Sequence, residues 1–199
     1  METIRGRTSL DLNLNELMER VANYDGITLD LGTGDGRFVR CMAKRHHDAF
    51  FIGMDACREN LRAHSRIKLP NALFVIASAQ ALPYELNGLA DRLTVNFPWG
   101  SLLESLLNGS PSLINRLDAV TRPRAGMEVC LNAEALDSSG WSLESGAERI
   151  ERALNAAGWK TRSHAFMDAR ALRSFPTTWA KRLAFGRDPR AIRLSLIKG

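Results

Sequence analysis

Three glycines at alternate positions follow an acidic residue in Asp30-Leu31-Gly32-Thr33-Gly34-Asp35-Gly36. The run leading into them, Gly26-Ile27-Thr28-Leu29-Asp30-Leu31, is short and apolar and reads as a buried parallel strand. Glycines so spaced let a backbone turn tightly and come close to a ligand. Such a ligand lies at the carboxyl ends of parallel strands, where helix N-termini offer free N–H groups. A dinucleotide fold would suit the turn as well, but its fingerprint is G-x-G-x-x-G, and a pyrophosphate would be repelled by Asp30. An ammonium and a sulfonium are instead favoured by an acidic strand end. The turn therefore points to S-adenosylmethionine, with S-adenosylhomocysteine as product and Asp30, Gly32, Thr33 and Gly34 as contacts. Asp55 ends a second apolar run, Ala49–Asp55, where a carboxylate can accept both hydroxyls of a ribose; its other reading is a helix N-cap. Ala77 and Gln80, just past a third run, are candidates for lining the adenine pocket.

Two tryptophans stand where a flat substrate could meet this ligand. A fourth run ends in Asn96-Phe97-Pro98-Trp99-Gly100-Ser101, and an exposed aromatic there can stack on a base. Trp99 also borders the expected cofactor. Late in the chain, Phe175-Pro176-Thr177-Thr178-Trp179-Ala180-Lys181-Arg182-Leu183-Ala184-Phe185-Gly186-Arg187 joins a tryptophan to four positive charges, counting Arg190. It reads as a basic, aromatic loop between the last strands, suited to a nucleic acid base and its phosphates.

The elements that must hold these residues alternate between strand and helix. A hairpin is expected from Thr3-Ile4-Arg5 and Ser9–Leu12 around Gly6-Arg7. A helix capped by Asn13 or Asn15 runs through Leu17, Met18 and Val21. Further strands are read at Ala72–Ala77, Arg92–Phe97, Gly126–Leu131, Thr161–Phe166 and Ala191–Ile197. Helices are read at Phe38–Arg45, Arg58–Lys68, Leu102–Leu107, Ser112–Ala119 and Ala147–Ala157. Alternation of this kind implies a parallel sheet with right-handed crossovers. The last two strands suit an antiparallel closing hairpin. The expectation is an α/β, Rossmann-like class I methyltransferase: a seven-stranded, mostly parallel sheet with an N-terminal β-hairpin, in a single domain over 1–199. Residues 1–12 form that hairpin, and 65–71, 132–147 and 169–190 are the substrate-side connections.

Charge adds a partner. The net charge is +5, yet residues 160–199 hold ten basic and two acidic side chains, a balance of +8 against −3 for the rest. One basic end on a mildly acidic body suggests a polyanion. Nothing approaches the ~20 apolar residues of a membrane span. The N-terminal residues have charges of both signs and no apolar h-region, so no secretory signal is read. Cys41, Cys57 and Cys130 are odd in number and far apart, which fits a reducing cytoplasm, and all three are read as packing residues. His46, His47, His64 and His164 have no ligand spacing, so no metal is expected.

Four blocks together resemble one family: Leu29–Arg37, Phe74–Ala77, Phe97–Glu104 and Trp179–Arg187. They are similar to the aminoglycoside-resistance 16S ribosomal RNA methyltransferases of the Kam and Npm type, which modify N1 of adenine 1408 in the decoding site. The resemblance implies that Trp99 and Trp179 sandwich a flipped adenine, with Ser101 and Thr177 nearby. It implies that Arg187 and Arg190 hold ribosomal RNA phosphates, and that Asp30 and Asp55 sit on the cofactor. Lys181 and Arg182 join the expected RNA contacts, as do Arg66 and Lys68 in a connection shorter than the family's. The implied partner is 16S rRNA within the assembled 30S subunit, met by a cytoplasmic monomer. N1 of adenine has a free lone pair, so no general base is needed. Catalysis is then mostly positioning, worth about 7–11 kcal/mol at best, and Trp99, Trp179 and Ser101 are its residues. Two rival readings remain. Asn96-Phe97-Pro98-Trp99 loosely resembles the Asn-Pro-Pro-aromatic motif of amino-group methyltransferases, so another RNA base or an amino group could be the acceptor. The other rival is a ribosome-binding homologue with weak catalysis.

Overall fold

The computed structural model describes residues 1–199. Five strands form its parallel centre: β3 (Gly26–Leu31), β4 (Ala49–Asp55), β5 (Ala72–Ile76), β6 (Ala90–Asn96) and β7 (Thr121–Asn132). With β1 (Glu2–Arg5), β2 (Thr8–Asp11), β8 (Trp159–Met167) and β9 (Ala191–Lys198), they make one sheet in the order β2-β1-β5-β4-β3-β6-β7-β9-β8. The chain winds outward from β3 to β4 and β5, then returns to β6 and β7 on its other side. That reversal opens a crevice at the strand ends beside β3, where ligands of such sheets bind.

The sheet has nine strands, not the expected seven. The hairpin is not an appendage: β1 pairs antiparallel with β5 through Thr3 and Val75 and extends the sheet. On the other edge, β9 runs antiparallel to both β7 and β8, giving the expected closing hairpin.

The helices follow their local signals. Asn13, not Asn15, caps α1 (Leu14–Val21), in a reciprocal box with Glu16. Pro111 takes the first position of α5 (Pro111–Val120), where its missing N–H costs nothing. α1, α5, α4 (Gly100–Leu107) and α7 (Leu143–Ala156) bury Leu17, Leu117, Leu103 and Ile150 in one large core with Leu29, Ile52, Leu93 and Val129 of the sheet. α2 (Arg37–Arg45) and α3 (Arg58–Ser65) form a second core from Phe38, Val39, Leu61, Phe51 and Phe74. α3 stops at Ser65 rather than Lys68.

The stretch expected as a basic loop is helical. α8 (Ala169–Ser174) and α9 (Thr178–Gly186) occupy it, capped by the side chains of Asp168 and Thr177. Leu172, Ala180 and Leu183 pack with Phe97, Cys130 and Met167. The apolar stripe of α9 is short and interspersed with cationic residues, which hides it from a local reading. The 132–147 connection likewise contains α6 (Ala133–Ser138) and the start of α7. Of the cysteines, Cys130 is buried, Cys41 half-buried and Cys57 exposed, so Cys57 is not the packing residue expected. No helix is long and apolar enough to cross a membrane.

Candidate cofactor and base site

The glycine turn after β3 is held by its own geometry. Gly32 has φ +67°, and a Cβ there would lie 2.8 Å from Leu102 Cδ2. Gly36 has φ +76°, and a Cβ would run into the Phe74 ring. Both positions admit glycine for conformation and for space. A cleft of about 580 Å³ opens over this turn, within the size of small-molecule sites.

Asp30 forms the floor of the cleft and is 1% exposed. Its Oδ1 accepts hydrogen bonds from the Thr94 hydroxyl at 2.7 Å and the Asn96 amide at 2.8 Å. Oδ2 is buried with no donor. Burial pushes the Asp30 carboxyl up to about 6, offset in part by the surrounding donors. An unpartnered buried carboxylate oxygen fits the ammonium of S-adenosylmethionine. No local motif singles out Thr94 and Asn96 as its support. Thr94 lies beside Asp30 in the parallel register of β3 and β6, a fact that only strand pairing supplies.

Asp55 lines the same cleft and is already engaged. Oδ2 accepts the Gly34 N–H at 2.8 Å, while Oδ1 accepts from the Cys57 N–H and the Asn60 amide. Asp55 therefore organises the loop into α3 and borders the cleft, but it is not the helix N-cap, a position that Cys57 takes. Ala77 also lines the cleft. Gln80 reaches across it, donating to the Ser101 carbonyl at 3.2 Å and the Ser105 hydroxyl at 2.9 Å, while its own carbonyl side is taken by Ser78. Gln80 thus braces the start of α4 and has little left to offer an adenine.

Trp99 leaves β6 by a strained route. Phe97 adopts φ +56° although it is not glycine, a conformation that costs on the order of 1–3 kcal/mol and clusters at functional sites. The turn delivers Trp99 to the wall of the cleft, 39% exposed. Trp179 faces it from α9, with ring centroids 5.5 Å apart and planes at 82°. The two rings meet edge to face, not as two parallel plates. Arg187 stacks on Trp179 at 4.9 Å and Arg182 at 5.8 Å. Ser101 and Thr177 line the cleft too, but the Thr177 hydroxyl is occupied in capping α9.

A second cavity of about 450 Å³ adjoins the first, sharing Thr178 and Arg182. Lys181, Arg187, Phe185 and Arg37 complete most of its lining, and no carboxylate does. Arg37 is a cation of this surface that the spacing of the glycine turn does not flag. Arg187 is tied to Glu134, and Arg190 donates to the Asp188 carboxylate from both Nε and Nη2, so neither points a free charge at a ligand. Arg66 and Lys68 are exposed on the connection between α3 and β5 and line neither cavity. No group of three or more His, Cys, Asp or Glu side chains is placed to hold a metal.

Comparison with known proteins bears directly on this geometry. A family model described as "NpmA: 16S rRNA (adenine(1408)-N(1))-methyltransferase" matches residues 2–197. The chain is 32% identical over 213 residues to the 16S rRNA (adenine(1408)-N(1))-methyltransferase of Escherichia coli, covering 98% of this chain and 97% of that one. It is 32% identical to the protein so named from Streptoalloteichus hindustanus, over 94% of each. Among solved structures, the aminoglycoside resistance methyltransferase NpmB1 superposes with a TM-score of 0.82 at 35% identity, over 100% of this chain and 99% of that one. The 16S rRNA methyltransferase KamB superposes at 0.89 with 28% identity, over the full length of both.

Proposed function

Because the chain belongs to the family of 16S rRNA (adenine(1408)-N(1))-methyltransferases, we propose that it methylates N1 of adenine 1408 in the assembled 30S subunit and so confers aminoglycoside resistance. The observation that carries the reading is the juxtaposition, in one cleft, of the buried Asp30 carboxylate with Trp99 and Trp179.

S-adenosylmethionine, when bound, supplies an electrophilic methyl on a sulfonium. Asp30 Oδ2 would hold its ammonium and Asp55 its ribose, with Ala77 beside the adenine and Gly32, Thr33 and Gly34 giving close backbone approach. The chain's remaining task is to present the acceptor. Adenine N1 is unreachable while the base is stacked or paired, and extruding it costs a few kcal/mol. Trp99 and Trp179 are the faces that would repay that cost, with Ser101 and Thr177 at the rim. Their present contact closes the slot, so base binding would require one ring to turn. No side chain needs to take a proton before attack. Lys181, Arg182, Arg187 and Arg190 would meet the RNA backbone, with Arg66 and Lys68 as a more distant contact. We place the enzyme in the cytoplasm as a monomer, without a metal.

The test is methyl transfer from labelled S-adenosylmethionine to purified 30S subunits, with the modified base mapped. N1-methyladenine at position 1408 is the expected product. N6-methyladenine, another position, or no transfer would overturn the proposal.

A further inference from the structure

Asp35 belongs to the glycine turn, and its carboxylate reaches out of the cofactor wall. Oδ1 accepts the Arg37 N–H at 3.0 Å and so fixes the start of α2. Oδ2 accepts the hydroxyl of Thr178 at 2.6 Å, a bond between residues 143 apart in the chain. His64 of α3 brings its Nε2 to 3.8 Å from the same oxygen. A hydroxyl bonded to a carboxylate is among the stronger hydrogen bonds a protein makes. Thr178 opens α9 and directly precedes Trp179. Its neighbour Thr177 spends its hydroxyl on the Ala180 N–H. One threonine therefore holds the helix together, and the other holds it to the turn.

The connection continues on the cofactor side. Gly34, next to Asp35, donates its N–H to Asp55. Asp55, Gly34, Asp35, Thr178 and Trp179 thus form a continuous line from the ribose side of the cleft to the aromatic wall, and all five line it.

We propose that Asp35 is a positioning residue which, through Thr178, couples occupancy of the cofactor site to the placement of Trp179. The coupling rests on the reading of the cleft as a cofactor site with Trp179 as its base-facing wall. Asp35 and Thr178 act on the tryptophan and not on the reacting atoms.

Thr178→Val removes the hydroxyl and keeps the shape, while Thr178→Ser restores the hydroxyl. Hydrogen–deuterium exchange of the full chain, with and without S-adenosylhomocysteine, reads the coupling directly. In the wild type, the ligand slows exchange both in the turn over 32–37 and across 175–186. In Thr178→Val, calorimetry still finds the ligand bound, but protection is confined to the turn. On 30S subunits, Thr178→Val lowers single-turnover methylation about tenfold at saturating S-adenosylmethionine, a typical size for coupling between sites. Thr178→Ser matches the wild type in both assays. The proposal is overturned if 175–186 gains no protection in the wild type, if Thr178→Val retains it, or if Thr178→Ser loses as much as Thr178→Val. Failure of the wild type to methylate 30S subunits would instead remove the substrate assignment, and the exchange result would still decide the coupling.

Discussion

Asp30 sits at the end of β3 with one oxygen hydrogen-bonded twice and the other without a donor. Its carboxyl is pushed from 3.8 to about 6 in the folded chain because burial disfavours the charge. A raised carboxylate favours the fold in its protonated form. Stability tied to Asp30 is therefore full below pH 3.8 and is lost as pH rises to about 6. The charged form costs on the order of 3 kcal/mol at neutral pH, at about 1.4 kcal/mol per pKa unit. Asp30→Asn should raise the melting temperature at pH 7.5 by roughly 2–4 °C per kcal/mol recovered, and abolish S-adenosylmethionine binding. Scanning calorimetry at pH 7.5 and titration calorimetry would check both; normal binding by the Asp30→Asn variant would refute the ammonium assignment. In the wild type, cofactor affinity should fall as pH drops below about 6, because the protonated carboxyl no longer pairs with an ammonium. Titrations between pH 5 and 8 would show it, and a flat profile would count against Asp30. The tryptophans give a second test at this scale. Trp99→Ala and Trp179→Ala should each eliminate methylation and leave cofactor binding intact. Turnover at the wild-type rate in either variant would rule out that ring as a base platform.

The α8–α9 segment is where element packing meets function. Phe175, between the two helices, stacks on Phe38 of α2 at 6.2 Å and meets the strained Phe97 edge to face at 5.5 Å. One ring thus joins the second core to the core beside Trp179. Phe175→Ala should cost on the order of 2 kcal/mol, below the roughly 3–5 kcal/mol of a fully buried phenylalanine. Its effect on methylation should exceed its effect on cofactor affinity, because Trp99 and Trp179 lie on the elements it supports. Denaturant melts together with single-turnover rates would test this. Equal losses in cofactor binding and in rate would mean that Phe175 supports the whole cleft and not the base wall.

Across the whole molecule, charge is segregated by sequence and then gathered by the fold. Arg37, from the second helix, joins Lys181, Arg182 and Arg187 around one cavity beside the cleft. If this surface meets RNA phosphates, binding to 30S subunits should weaken linearly in log–log form with salt. Replacing Arg37 or Arg182 with alanine should then reduce that slope by about one phosphate contact each. Filter binding across a salt series is the measurement, and an unchanged slope for Arg37→Ala would remove it from the interface. Arg187 and Arg190 are paired with Glu134 and Asp188, so their contribution should appear only after those pairs open.

Much of this protein is legible in its sequence because the relevant signals are local. Alternating glycines, a short apolar run and an acid at its end fix the Asp30 turn without knowledge of distant residues. The parallel strands show as short apolar stretches since they are buried on both faces, and the long helices as apolar periodicity. The parts that local patterns miss depend on partners far along the chain. The full strand count requires β1 to find β5, and nothing within residues 1–12 names that partner. The residues of α9 read as a loop because their apolar stripe is short and interrupted by lysine and arginine, and packing with Phe97 and Met167 stabilises them as a helix. Thr94 and Asn96 support Asp30 through strand register, and Asp35 reaches Thr178 across 143 residues. The sequence by itself determined the glycine turn, the alternation of elements and the positions of the two tryptophans. Tertiary structure decided how the aromatic rings meet, which carboxylate oxygen is left free, and how the turn is tied to α9 beside Trp179, because these depend on distances between segments that no local pattern encodes.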